Sequence, residues 1–155
     1  MSSVESYVVD TSVLAEYLDE SSPLAKPIEK LFEKAVKGEI ALYTTTLVIA
    51  ELLYVASRIY REAKEEEPNV KAKEYLLWLQ HQLNLNIVDL DHQLAIETSE
   101  ARKQLRLALT DCSILALARK LKAKPLFLKI EAEMKTIINT LKEKYNVKFI
   151  TEDYV

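Results

Sequence analysis

At 155 residues, with 49% hydrophobic and 29% charged side chains, the chain has the size and composition of one globular domain, long enough to bury about two-thirds of its unfolded surface. Its net charge of −3 excludes a global basic field for holding nucleic acid, so any phosphate must be handled locally. The only glycine, Gly38, excludes both Gly-rich nucleotide-binding loops, and the only cysteine, Cys112, excludes an intramolecular disulfide and favours a reducing, cytoplasmic setting.

The N-terminal Met-Ser-Ser-Val-Glu lacks the basic and long apolar regions of a signal peptide. Tyr7-Val8-Val9 ends at Asp10, and the apolar positions after it have helical spacing, which predicts a strand over 4–10 feeding a helix over 11–19. Ser21-Ser22-Pro23 breaks the chain before a helix over about 24–37, with Leu24, Ile28, Leu31, Phe32 and Ala35 on one face and Gly38 just past its end. Ile40–Tyr43 is a second strand, and Thr44-Thr45-Thr46 offers N-caps for a helix to about residue 66. The threonines and Glu51 make residues 40–57 a strand plus a buried helix rather than a membrane span. Glu65-Glu66-Glu67-Pro68-Asn69 is a break, followed by a helix over 70–84. Leu85–Val88 is a third strand, and Asp91 a cap for a helix over 92–107. Thr110 starts another helix, with Ile114, Leu115, Ala118 and Leu121 as its inner face. Pro125–Leu128 is the fourth strand, 132–144 the last long helix, and Val147–Ile150 the fifth strand. Alternating strands and helices predict a single domain over 1–155, a three-layer α/β/α sandwich around a central parallel five-stranded sheet.

Three acids stand out because each occupies a place where an apolar residue would pack better. Asp10 closes the first strand, at the edge where open α/β sheets place ligands. Glu51 shares a helix face with Leu47, Val48, Leu52 and Val55, and Asp111 shares one with Ile114 and Leu115. A buried carboxylate without a partner is strongly disfavoured. Two carboxylates about 4 Å apart repel by roughly 1 kcal/mol in water and about 4 kcal/mol at an effective dielectric near 20. Convergence on a shared divalent cation accounts for all three acids, and the hard carboxylate oxygens favour Mg²⁺ or Mn²⁺. Zinc fits poorly, because His81 and His92 stand alone and Cys112 has no companion. Structural roles stay open beside this one: Asp10 as a helix cap, Asp111 as another with Thr110 competing, and Glu51 in a distant ion pair. Arg102-Lys103-Arg106 and Arg119-Lys120-Lys122-Lys124 are solvated faces or contacts to a phosphate backbone flanking Asp111.

With Val9-Asp10-Thr11-Ser12-Val13-Leu14, Ala50-Glu51-Leu52 and Asp111-Cys112-Ser113-Ile114-Leu115-Ala116-Leu117-Ala118 in this order, the sequence resembles a PIN domain, and most closely a VapC-type toxin of prokaryotic toxin–antitoxin pairs. The resemblance spans nearly the whole chain. It implies a Mg²⁺- or Mn²⁺-dependent endoribonuclease with RNA as substrate, a homodimer, and inhibition by an antitoxin protein. Asp10, Glu51 and Asp111 match the family's first three acids and Ser12 its supporting hydroxyl, with Thr11 beside it. The fourth acidic position departs from the family's Thr-x-Asp-x-x-Phe. Glu131 falls on the Asp, Lys129 replaces the Thr and Met134 the Phe. Glu131 is thus expected as a weaker, supporting metal ligand. The alternative is a catalytically weakened module that binds RNA or an antitoxin without cutting. A phosphatase of the haloacid-dehalogenase type is disfavoured because Ser12 replaces the second acid of its Asp-x-Asp. Leu53, Tyr54, Ile59, Tyr60, Tyr75, Leu76 and Trp78 exceed what one side of a thin sandwich needs, so part of that surface is expected to be covered by a second copy or an antitoxin helix.

Overall fold

The computed structural model describes residues 4–154. The Met-Ser-Ser start on which the signal-peptide reading draws, and the outermost limits of the expected 1–155 domain, lie outside them. Five parallel strands form one sheet in the order β3-β2-β1-β4-β5: β1 Glu5–Val9, β2 Ile40–Thr45, β3 Asn86–Val88, β4 Lys124–Phe127 and β5 Lys148–Phe149. The helices are α1 Thr11–Glu16, α2 Ala25–Val36, α3 Thr46–Glu62, α4 Pro68–Gln82, α5 His92–Leu105, α6 Leu109–Leu121, α7 Ile138–Tyr145 and α8 Ile150–Asp153.

The pleat of β1 explains the three layers. Tyr7 and Val9 face a core built with α1, α2, α4 and α8, whereas Val8 faces a second core built with α5, α6 and α7. A strand buried on both faces has to be a continuous apolar run, which Tyr7-Val8-Val9 is. Helix α3 serves both sides, with Ile49 and Leu52 in the first core and Val48 in the second.

Local signals account for most boundaries. Gly38 adopts φ +75°, the left-handed conformation that favours glycine two residues past the end of α2. Asp91 Oδ1 accepts from Leu94 N at 2.8 Å and caps α5, and Thr45 Oγ1 accepts from Val48 N at 3.2 Å and caps α3. Pro68 opens α4 at a position whose N–H needs no partner.

Two expectations need correcting. The helix expected over 132–144 is a 3-10 segment, Ala132–Ile137, followed by α7. The i,i+3 spacing of Met134 and Ile137 suits that tighter winding. The expected fifth strand over 147–150 shrinks to two residues, because the Asp153 carboxylate accepts from Phe149 N at 2.8 Å and Ile150 turns at once into α8. Among the described residues, no helix is long and apolar enough to cross a membrane.

Candidate active site

The chain runs from β1 outward to β3, then returns to place β4 on the other side of β1. That reversal opens a crevice at the carboxyl ends of β1 and β4, the position where such sheets bind ligands. Asp10 stands there, its backbone N–H donating to Leu126 O at 3.0 Å across the strand pair. It is only 8% exposed. As the N-cap of α1 its carboxylate accepts from Ser12 N at 3.3 Å and from Ser12 Oγ at 2.5 Å. The capping role anticipated for Asp10 is therefore real, and Ser12 orients the carboxylate. Burial pushes the Asp10 carboxyl above the usual range despite the Ser12 hydrogen bonds that lower it, and the charge of Glu51 adds to the rise.

Asp111 is half-buried in the first turn of α6. Neither it nor Thr110 caps that helix: α6 begins at Leu109 behind Ala108, which offers no side-chain cap. Asp111 is pushed up to about 7, by burial first and then by Asp10, Glu51, Glu133 and Glu131. Every one of those neighbouring charges is negative. Glu51 projects from α3 toward the same place, with Thr110 Oγ1 donating to its Oε2 at 3.5 Å. No Lys or Arg pairs with Glu51 among the described residues, which removes the ion-pair reading of that residue.

Asp10, Glu51 and Asp111 thus act on one another electrostatically. Among the described residues, however, no three His, Cys, Asp or Glu side chains stand close enough to enclose an ion. Repulsion without a compensating cation, an all-oxygen donor set, and a buried hydroxyl next to Asp10 all fit a hydrated Mg²⁺ or Mn²⁺. That hydroxyl is Thr11 Oγ1, in a residue 4% exposed and without a hydrogen-bond partner among the described residues. Buried orphans of this kind are rare in native proteins.

Glu131 is exposed at the head of the 3-10 segment, makes no side-chain cap there, and forms no ion pair with Lys129 among the described residues. Glu133 acts on Asp111 more strongly than Glu131 does. Sequence reasoning passed over Glu133 because the motif register selected Glu131; the signal was a second acid two residues on. It also passed over the contact between Thr110 and Glu51. Cys112 is fully buried and its thiol is pushed up to about 11, chiefly by burial, which leaves no thiolate nucleophile. Arg102 is occupied in donating to Leu107 O, tying the α5–α6 corner together.

This five-stranded parallel sheet flanked by helices, with Asp10 at its switch point, is a three-layer α/β/α domain. The PIN domain family matches residues 7–132, and the chain belongs to that family. Solved structures share the fold at low identity. VapBC2 from Rickettsia felis, bound to a DNA fragment from its promoter, is 17% identical with a TM-score of 0.60, covering 86% of this chain and 94% of that one. VapBC-1 from nontypeable Haemophilus influenzae is 15% identical with a TM-score of 0.58, covering 95% and 99%. VapC20 of Mycobacterium tuberculosis, a toxin that cleaves the sarcin–ricin loop, is 14% identical with a TM-score of 0.56, covering 77% and 86%. No curated protein matches the chain by sequence.

Proposed function

We propose that this PIN domain is a metal-dependent endoribonuclease acting as the toxin of a toxin–antitoxin pair. The observation that carries the reading is Asp10 at the switch point of the sheet, raised by burial and by the charge of Glu51, with only negative charges, Asp10 and Glu51 among them, acting on Asp111. Asp10, Glu51 and Asp111 would hold Mg²⁺ or Mn²⁺, with Glu131 or Glu133 completing the shell through water. When bound, such an ion supplies Lewis-acid activation of a water molecule and of the phosphodiester. The chain's own residues orient and dehydrate. Ser12 fixes the Asp10 carboxylate, Thr110 steers Glu51, and the buried walls of the crevice strengthen every charge interaction inside it. No histidine lies among these acids and the one thiol is inert, so the site offers no thiolate nucleophile or imidazole base among the described residues.

RNA as the substrate and an antitoxin as the inhibitor draw support from the architecture shared with VapC20 and the VapBC complexes. A cytoplasmic location follows from the same reading. The single buried cysteine is in keeping with it. The second reading, a weakened binding module, draws on the exposed and unsupported fourth acid, Glu131. Cleavage of single-stranded and structured RNA with Mn²⁺, with and without chelator, and with Asp10→Asn, separates the two. The nuclease reading expects cleavage that chelator abolishes and that falls about a hundred- to a thousandfold in Asp10→Asn, on the order of losses at groups acting in the transition state. Undiminished cleavage by the Asp10→Asn protein refutes it, and binding without cleavage by the wild type favours the module.

A further inference from the structure

We propose that Thr45 and Ser113 are positioning residues, joined in a directed chain of buried hydrogen bonds that fixes the spacing of the two helices carrying Glu51 and Asp111, an inference that rests on the metal-site reading above. Thr45 ends β2 and caps α3; Ser113 lies in the first turns of α6, 68 residues away in sequence. Both side chains are fully buried, so water cannot replace either partner.

The direction of the chain follows from counting protons. Ser113 Oγ lies 2.7 Å from Thr110 O, and a carbonyl can only accept, so the one Ser113 hydroxyl proton is used there. The 3.0 Å contact between Thr45 Oγ1 and Ser113 Oγ must then be Thr45 donating. Thr45 Oγ1 in turn accepts from Val48 N at 3.2 Å. The bonds run Val48 N–H to Thr45 to Ser113 to the Thr110 carbonyl, and every hydroxyl proton has an acceptor.

Both ends of this chain touch the acids' immediate supports. Thr110 directly precedes Asp111, and its own hydroxyl donates to Glu51 at 3.5 Å. Val48 lies in the first turn of the helix that carries Glu51. Glu51 and Asp111 repel each other, which tends to part α3 from α6, and the hydroxyl chain opposes that parting at the end of the helices where the acids sit. Polar groups in a dry interior bind more strongly than in water, and a fully satisfied network specifies one arrangement.

The test uses the full chain, stripped of metal by chelator, with Mn²⁺ binding measured by calorimetry and folding followed by thermal unfolding. Ser113→Ala breaks the chain while nearly conserving volume. Thr45→Ser keeps the hydroxyl and removes a buried methyl. Positioning predicts that Ser113→Ala weakens Mn²⁺ binding by about 10–100-fold, the loss typical of groups that orient ligands, while Thr45→Ser lowers thermal stability yet binds Mn²⁺ within about twofold of wild type. Equal Mn²⁺ affinity in wild type and Ser113→Ala, with only the unfolding temperature reduced, overturns the positioning role and leaves the metal site standing. A folded wild type that binds no Mn²⁺ overturns the metal-site reading itself. Should Ser113→Ala fail to fold, Ser113→Cys, with a weaker donor of similar shape, carries the same comparison.

Discussion

Replacing Asp111 by Asn should stabilise the metal-free protein at neutral and alkaline pH. Burial and four neighbouring acids raise the Asp111 carboxyl from 3.8 to about 7. Between those values the folded state binds more protons than the unfolded state, so stability falls as pH rises from about 4 to about 7 and is flat beyond. Each pH unit corresponds to about 1.4 kcal/mol, which gives an upper bound of about 4 kcal/mol. Asp111 is only half-buried, and solvent screening brings the figure to about 2 kcal/mol. For a domain of this size, that is roughly 4–8 °C in unfolding temperature. Calorimetric scans of wild type and Asp111→Asn in chelator, at pH 4.5, 6 and 8, should show near coincidence at the lowest pH and a widening advantage for the variant. Saturating Mn²⁺ should reverse the order, because a bound ion stabilises the wild type by mass action. A gap between the two proteins that does not change from pH 4.5 to pH 8 would refute the reasoning.

The fourth acid and the assembly yield two further predictions. Glu131→Gln should cost about 10–100-fold in activity if it acts through water, and Glu133→Gln at least as much, since Glu133 acts on Asp111 more strongly; parallel cleavage assays rank the two, and an unaffected Glu133→Gln protein would return the role to Glu131. On the α3–α4 side Tyr54 is 68% exposed and Trp78 37%, while Tyr75 is core, its hydroxyl donating to Leu14 O at 2.6 Å. We propose that this exposed remainder is covered in a homodimer. Light scattering at high micromolar concentration should give twice the monomer mass, falling to the monomer value in Tyr54→Glu; a wild-type monomer would count against the dimer.

The fold was legible because local and global signals agree in this chain. The two-sided apolar run Tyr7-Val8-Val9, the Thr45 and Asp91 caps, and Gly38 beyond α2 all point to the elements the structure contains. The failures cluster late in the chain. Met134, Ile137 and Ile138 satisfy both a 3-10 and an α pattern, and the difference lies in tertiary packing that no short window contains. The two-residue β5 is an edge strand cut short by the Asp153 carboxylate, a contact invisible in the hydrophobic pattern. Of the site, the three acids were visible because each interrupts an apolar face. Thr110, Ser113 and Glu133 were not, because hydroxyls and exposed acids break no pattern. The roles of Thr110 and Ser113 arise from helix pairing across dozens of residues.

That division has a physical cause. Asp10 and Asp111 sit where packing alone would place an apolar side chain, and burial raises both carboxyls. The sequence retains a local conflict of this kind only if something outside the hydrophobic pattern resolves it. Ion pairing does not, since no Lys or Arg reaches these acids among the described residues. Capping resolves it in part for Asp10 and not for Asp111. A divalent cation would resolve it for both, turning mutual repulsion into shared attraction and giving each carboxylate the counter-charge that the protein withholds. The same cost then has a use. Acids destabilised without metal bind metal more tightly than relaxed ones, because the ion relieves their repulsion as it arrives. The unfolding temperature in chelator and the affinity for Mn²⁺ should therefore move in opposite directions in both Asp10→Asn and Asp111→Asn.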